Sequence, residues 1–133
     1  MIIEINTQSP SPIYEQLRDQ VVLGIASGRL AADEALPSVR SLAADLGVNF
    51  HTVNKSYAML GDEGYIVMDR RRGAVVAQEM EGGASFLAKL SRGLLLSAAE
   101  GICRGMSEDD YVSLCVKAYR EAEGNSKKGA TKA

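Results

Sequence analysis

The chain has 133 residues, 46% hydrophobic and 24% charged, so it can bury one modest core, or a small domain with an appendage. Its net charge of −2 excludes a uniformly basic protein, so any anionic partner must meet a local basic patch. Without a long apolar run or a basic-then-apolar N-terminus, the sequence predicts neither membrane insertion nor export. Cys103 and Cys115 form no disulfide framework, which favours a reducing cytoplasm.

The first 28 residues predict a short strand and then a helix. Residues 2–5 are rich in isoleucine and predict the strand. Ser11 is expected to cap the helix, with Pro12 at its first position, where a missing N–H costs nothing. Apolar residues then recur at every fourth position on one face, before Gly28 ends the helix: Ile13, Leu17, Val21 and Ile25.

Two shorter helices follow. Ser38 is expected to cap the first, and Gly47 to end it after little more than two turns. Asn49 is expected to cap the second, which ends at Glu63-Gly64. The apolar positions of both helices keep a spacing of three to four residues: Val39, Leu42, Ala43 and Leu46, then Val53, Tyr57 and Leu60.

A change of periodicity marks the next segment. Residues 65–68 and 74–77 are β-prone runs on either side of Asp69-Arg70-Arg71-Arg72-Gly73, which predicts a hairpin. Three helices and a hairpin in this order predict a winged helix-turn-helix over residues 1–78, hence a mainly α fold with a small β-hairpin (α+β). The alternative is a small α+β domain in which the hairpin only covers one end of the core.

Residues 79–123 predict two more helices, the second capped by Ser107 with Asp110 in a capping box. Their apolar positions, from Phe86 to Tyr119, are too many for two helices to cover by themselves. We expect this region to pair with a second copy and make a homodimer; packing onto residues 1–78 is the alternative. Residues 124–133 have little to bury and predict a disordered basic tail.

The start of the third helix carries polar groups suited to DNA bases. In a helix-turn-helix the second helix of the pair enters the major groove, with its N-terminal residues facing base edges. Asparagine can pair with adenine, threonine can meet a base edge or a thymine methyl, and lysine suits guanine or phosphate. The alternative is an ordinary solvated face, although such a face usually carries glutamate. The candidate residues are Asn49, His51, Thr52, Asn54 and Lys55.

Basic residues flank this helix in the sequence. Arg40, in the helix before it, is the candidate for a phosphate contact. Arg70, Arg71 and Arg72 at the hairpin tip could bind phosphates or the minor groove. Lys127, Lys128 and Lys132 are expected mainly to keep the tail soluble.

Many spaced positions over residues 3–77 resemble the DNA-binding domain of GntR-family bacterial transcription regulators. Among the runs that carry the resemblance are Pro12-Ile13-Tyr14-Glu15-Gln16-Leu17, Leu36-Pro37-Ser38-Val39-Arg40, Leu46-Gly47-Val48-Asn49 and Glu63-Gly64-Tyr65-Ile66. The two-helix remainder resembles the YtrA-like branch. The resemblance implies a homodimeric repressor that binds a palindromic double-stranded DNA operator and either responds to a small-molecule effector or regulates its own gene.

The same resemblance implies DNA contacts at Arg40, Asn49, His51, Thr52 and the Arg72-Gly73 tip. Three positions depart from the family pattern. Phe50 stands where relatives often have arginine or proline, Asn54 where many have arginine, and Arg71 where a glycine is common. Operator sequence and affinity therefore do not transfer.

Enzymatic function is not expected. One histidine, two cysteines and scattered carboxylates assemble into no nucleophile, metal or phosphate-binding motif, so we predict no cofactor and no metal. A winged-helix protein-interaction module without operator binding is the alternative function.

Overall fold

The computed structural model describes the backbone of residues 3–132 and the side chains of residues 3–124. The chain divides into two compact units, the first containing Met1–Met80 and the second comprising Glu81–Glu123. The described elements are α1 (Ile13–Ala26), α2 (Val39–Leu46), α3 (Phe50–Asp62), β1 (Ile66–Asp69), β2 (Gly73–Val76), α4 (Gly83–Cys103) and α5 (Glu108–Lys132). The mainly α fold with one β-hairpin that the sequence predicts is confirmed.

The core of the first unit joins all three helices to the hairpin. α3 packs against α1, α2 and β1, and side chains from these elements form one buried cluster. Burying such side chains is the main favourable term in folding. The core residues that are at most 5% exposed include Leu17, Val21, Leu30, Leu42, Val53, Leu60, Ile66 and Val76.

The start of α1 differs from the prediction by one residue. Pro12 is the cap residue, with φ −58° and ψ 149°, and no side chain caps this end. Its carbonyl accepts hydrogen bonds from Glu15 N and Gln16 N, both at 3.1 Å. The predicted Ser11 cap is therefore wrong, because proline itself supplies the extended backbone that precedes the first turn.

Residues 3–6 form no strand, so the predicted strand over 2–5 is wrong for its described part. Two glutamines one helical turn apart on α1 form hydrogen bonds with the backbone of this segment, as a neighbouring strand would. Glu4 N donates to Gln20 Oε1 and Asn6 N to Gln16 Oε1, each at 2.8 Å. Gln16 Nε2 donates back to Asn6 O at 3.0 Å. Side-chain amides can satisfy an extended backbone when no sheet edge is beside it.

The hairpin pairs β1 and β2 antiparallel, with Ile66 opposite Val76 and Asp69 opposite Gly73. The loop between α1 and α2 adds backbone bonds along β2. Leu36 N donates to Ala74 O and Val76 N donates to Glu34 O, both at 2.8 Å. The hairpin is thus tied to the loop that leads into α2, and it forms the predicted wing.

The second unit is a helical hairpin that buries none of its described side chains. Ser107 Oγ accepts from Asp110 N at 3.1 Å, which supports the predicted cap of α5. Tyr111 Oη, in the first turn of α5, donates to Leu94 O in the middle of α4 at 3.2 Å and joins the two helices. None of the described helices has the length and hydropathy needed to cross a membrane.

Helical backbone continues through Lys132, interrupted at Gly124, which has φ 72° and ψ −177°. This differs from the disordered tail that the sequence predicts over 124–133. The side chains of residues 125–132, and residue 133 as a whole, lie outside the described residues, and so do the predicted roles of Lys127, Lys128 and Lys132.

Candidate nucleic-acid interface

The turn between α2 and α3 has the caps that the sequence predicts. Ser38 Oγ accepts from Ser41 N at 3.0 Å at the start of α2. Gly47 ends α2 in the left-handed region, with φ 67°, where a side chain would be strained. Tyr57 of α3 donates from Oη to Pro37 O at 2.7 Å, which fixes α3 against the start of α2. The orientation of α3 is therefore set by both packing and a directional bond.

Asn49 caps α3. Its Oδ1 accepts a hydrogen bond from His51 N at 2.7 Å. This bond leaves the Nδ2 amide hydrogens to donate to a partner at the helix start. The bidentate adenine contact that the sequence suggests would have to share Oδ1 with the cap, so we assign Asn49 first to positioning α3.

The outward side chains of α3 include three of the predicted contacts. His51, Asn54 and Lys55 are exposed, Thr52 is half-buried and Val53 is fully buried. The inward direction predicted for Val53 is confirmed. Thr52 lies closer to the core than the sequence suggests, whereas Asn54 is fully outside.

Lys55 does not extend freely from α3. Its Nζ lies 3.9 Å from the centre of the Tyr14 ring on α1, within the range of a cation–π interaction. The ammonium is therefore held near the N-terminal end of α1. Tyr14 was missed by the sequence-based list of site residues, because no local pattern indicates a contact between residues so distant in sequence.

Arg40 lies exposed on α2 and reaches the first residue of α3. Its guanidinium carbon is 5.7 Å from the centre of the Phe50 ring. The predicted phosphate contact at Arg40 is thus placed beside the start of α3. Phe50 was noted in the sequence only as a departure from the family pattern, and the structure brings it into the candidate interface.

The three arginines of the wing differ in their surroundings. Arg72 pairs with Asp33, with Nη2 2.9 Å from Oδ1, and also lies 3.4 Å from Asp69 Oδ2. Among the described residues, Arg70 and Arg71 have no ion pair. The tip therefore offers two unpaired guanidinium groups, where the sequence alone suggested three.

Asp69 also shapes the tip. Its Oδ1 accepts from Arg71 N at 2.8 Å and from Arg72 N at 3.0 Å, and these backbone bonds lower the pKa of its carboxyl. The Arg72 hydrogen bond lowers the pKa of Asp33 and raises the pKa of Arg72 itself. Gly73 then takes a positive φ of 75°, so β2 begins with a residue that tolerates this turn.

An ion pair also fixes α1 to the end of α3. Arg18 Nε and Nη2 donate to the two carboxylate oxygens of Glu63 at 2.9 and 3.0 Å, and this pairing raises the pKa of Arg18. The Arg18 guanidinium also lies 5.5 Å from the centre of the Tyr65 ring. These contacts hold the C-terminal end of α3 against α1 and are not part of the exposed start of α3.

The described side chains include no group of three or more histidines, cysteines, aspartates or glutamates that could hold a metal ion. The exposed polar and basic groups of the first unit include the start of α3, Arg40 and the wing tip. These groups supply hydrogen-bond donors and positive charge, which are the features that bind a polyanion.

Comparison with known proteins matches residues 13–76 to the family described as "Bacterial regulatory proteins, gntR family". The HTH-type transcriptional repressor YtrA of Bacillus subtilis is 32% identical over 102 residues, which are 73% of this chain and 78% of YtrA. The chain belongs to the GntR family. The resemblance seen in the sequence is thereby confirmed.

A second relative, the HTH-type transcriptional repressor NagR of Bacillus subtilis, is 36% identical over 98 residues. The match covers 69% of this chain but only 40% of NagR, so the chain spans less than half the length of that relative.

Solved structures extend the GntR likeness. A transcriptional antiterminator from Listeria monocytogenes EGD-e aligns with a TM-score of 0.87 at 25% identity, over 94% of this chain and 95% of its own. YtrA from Sulfolobus acidocaldarius, a GntR-family transcription factor, is 40% identical with a TM-score of 0.58, over 90% of this chain and 97% of its own. The AraR DNA-binding domain, solved in complex with operator ORX1, aligns over 56% of this chain and 96% of its own, with a TM-score of 0.51 and 26% identity.

Proposed function

We propose that this GntR-family chain is a transcriptional repressor that binds a palindromic double-stranded DNA operator as a homodimer. The observation that carries the proposal is the exposed polar start of α3, where His51, Asn54 and the Nδ2 of Asn49 face outward from a helix fixed on a buried core. These side chains suit the base edges of a major groove.

Charge on the same unit supports DNA as the partner. Arg40 is exposed beside α3, and Arg70 and Arg71 are exposed at the wing tip. We assign phosphate contacts to these three arginines, because guanidinium groups outside ion pairs bind phosphate without first breaking an internal contact. The operator-bound AraR domain and the repressors YtrA and NagR, all similar to this chain, support the same function.

The second unit supports a homodimer. Its two helices leave large apolar side chains exposed, including Leu87 at 61%, Leu95 at 68% and Ile102 at 72%. A soluble monomer rarely keeps so much contiguous apolar surface in water. Pairing the same helices of two chains covers this surface and places two recognition helices on one duplex.

The effector is a further prediction of the family resemblance, and a cytoplasmic location remains a prediction from cysteine usage. A DNA-binding repressor needs neither a metal nor a cofactor for the contacts proposed here. Its relatives are named as transcriptional regulators, which agrees with a role in binding rather than catalysis.

Selection of binding sites from a random DNA library tests the proposal with the full-length chain. We expect enrichment of an inverted repeat whose half-sites are about 10 base pairs apart or a near multiple of that spacing. The matched control carries His51→Ala, Thr52→Ala and Asn54→Ala. This variant should keep its fold, because Val53 and Leu60 remain in the core, and it should enrich the repeat much less than the wild type does.

The outcomes separate the two candidate functions. Enrichment by the wild type that is well above that of the variant supports operator binding. A folded wild type that retains no DNA above a non-binding control protein would contradict operator binding and favour the protein-interaction module. Enrichment of one half-site without a repeat would contradict the homodimer.

A further inference from the structure

Phe50 is the first residue of α3 and has no role in the core. It is 41% exposed, whereas Val53 one turn later is completely buried. The exposed part of this aromatic ring is apolar surface that gains free energy when a partner covers it. Its position beside the candidate base contacts therefore points to a ligand.

Neighbouring side chains hold the Phe50 ring in place. The Arg40 guanidinium lies over it at 5.7 Å, and the His51 ring meets it edge-on, with centroids 5.6 Å apart and planes at 84°. Both geometries are favourable contacts for an aromatic ring. The ring is thus positioned before any partner arrives.

An open depression of about 580 Å³ lies next to the ring, between α2 and the start of α3. Alanine and valine side chains make most of it apolar, and Arg40 provides its charge. Its lining residues are Arg40, Ala43, Ala44, Gly47, Val48 and Phe50.

We infer that Phe50 determines operator specificity by contacting the 5-methyl group of a thymine in each half-site, an inference that rests on the proposed operator binding. In the major groove the 5-methyl of thymine is the apolar group that distinguishes one base from the others. The phenylalanine ring has no hydrogen-bonding group for a base edge, whereas it packs against a methyl group. Arg40, stacked on the ring, keeps its donors for the adjacent phosphate.

Replacing single thymines by deoxyuridine in the selected operator tests this inference, because it removes only the methyl group. In each half-site we expect one thymine whose replacement weakens wild-type binding about fourfold. This is the effect of losing the apolar contact of one methyl group. Phe50→Ala should bind the thymine and uracil operators equally at that position. Phe50→Leu, which keeps an apolar side chain, should retain part of the difference.

A matched control and the selection itself separate the two hypotheses. Asn54→Ala should bind more weakly but keep the full uracil effect. A wild type that enriches an operator but loses no affinity at any uracil, or whose uracil effect survives Phe50→Ala, overturns the Phe50 assignment and leaves operator binding intact. A wild type that enriches no operator overturns both.

Discussion

The guanidinium of Arg72 is bound to Asp33, with Nη2 2.9 Å from Oδ1 and Nη1 3.1 Å from the Asp33 backbone carbonyl. This contact ties the wing to the loop before α2. Asp33 has a positive φ of 67°, a conformation that aspartate tolerates better than most residues. The arginine nearest β2 therefore fixes the wing, while Arg70 and Arg71 extend beyond it.

Salt dependence of DNA binding distinguishes these roles. Arg70→Ala and Arg71→Ala should each weaken binding to operator and random DNA alike. Each should reduce the slope of log affinity against log salt by about one unit per subunit, hence by about two units for the dimer. Arg72→Ala should reduce that slope less, because its charge is already paired. Fluorescence anisotropy over a series of salt concentrations measures all three slopes.

Asp33→Asn is the matched control, since it keeps the size of the side chain and removes the charge that pairs with Arg72. Freeing Arg72 should make the salt slope steeper. An Arg72→Ala slope that falls as far as that of Arg70→Ala would show that the ion pair opens when DNA binds and that Arg72 contacts phosphate.

The exposed face of α3 gives a second prediction. Thr52→Ala and Asn54→Ala should each cost about 1–3 kcal/mol against the preferred operator where a base contact is lost, and little against random DNA. Asn54→Ala should leave stability unchanged because the side chain is exposed, whereas half-buried Thr52 should show a small loss. Affinity for operators mutated at every position, measured with each variant, gives the contact map.

Val53→Ala is the comparison for this helix. It removes two methyl groups from a completely buried site and should lower the free energy of unfolding by about 2 kcal/mol, while weakening all DNA binding alike. If both polar variants keep the wild-type preference at every operator position, α3 is not the element that recognises bases.

Local chemistry made the turn between α2 and α3 predictable from the sequence. Ser38, Gly47 and Asn49 each act within three residues of their own position, as a cap or a helix stop. The change of periodicity likewise predicted the hairpin. Each of its strands is shifted by one residue from the predicted run.

Long-range contacts account for what the sequence could not predict. The Arg72–Asp33 pair spans 39 positions, and no local pattern connects its members. The contact of Lys55 with Tyr14 joins α3 to α1 in the same way. Each contact gives a partner inside the protein to a residue that the sequence analysis proposed as a DNA contact.

Tyr57 gives a prediction for alkaline pH. Burial raises the pKa of its phenol from 10.0 to about 12. Because the folded protein holds this proton more tightly than the unfolded chain, the resulting stability is fully present below pH 10 and is lost as the pH rises through 12. Denaturant unfolding at several pH values should show the decline.

Tyr57→Phe should remove that part of the decline and cost about 1 kcal/mol at neutral pH, the value of the hydrogen bond to Pro37 O. An identical slope above pH 10 in the wild type and the variant would mean that Tyr57 does not titrate as a buried phenol.

The apolar face of α4 gives the last prediction. Leu90 and Leu94 are 45% and 47% exposed and lie one helical turn apart, on the same side as Leu87. If these side chains pair two chains, Leu90→Asp with Leu94→Asp should convert a dimer at micromolar concentration into a monomer, because buried carboxylates are costly without partners. Core residues of the first unit stay in place, so its thermal unfolding should change little.

Operator affinity should fall much further than affinity for a single half-site, because the two recognition helices are no longer linked. Arg92→Glu, on the opposite side of α4 from Leu90 and Leu94, is the matched control and should remain dimeric. Sedimentation of the wild type and both variants measures the assembly. A monomeric wild type, or a leucine double variant that stays dimeric, would show that this face of α4 does not join the subunits.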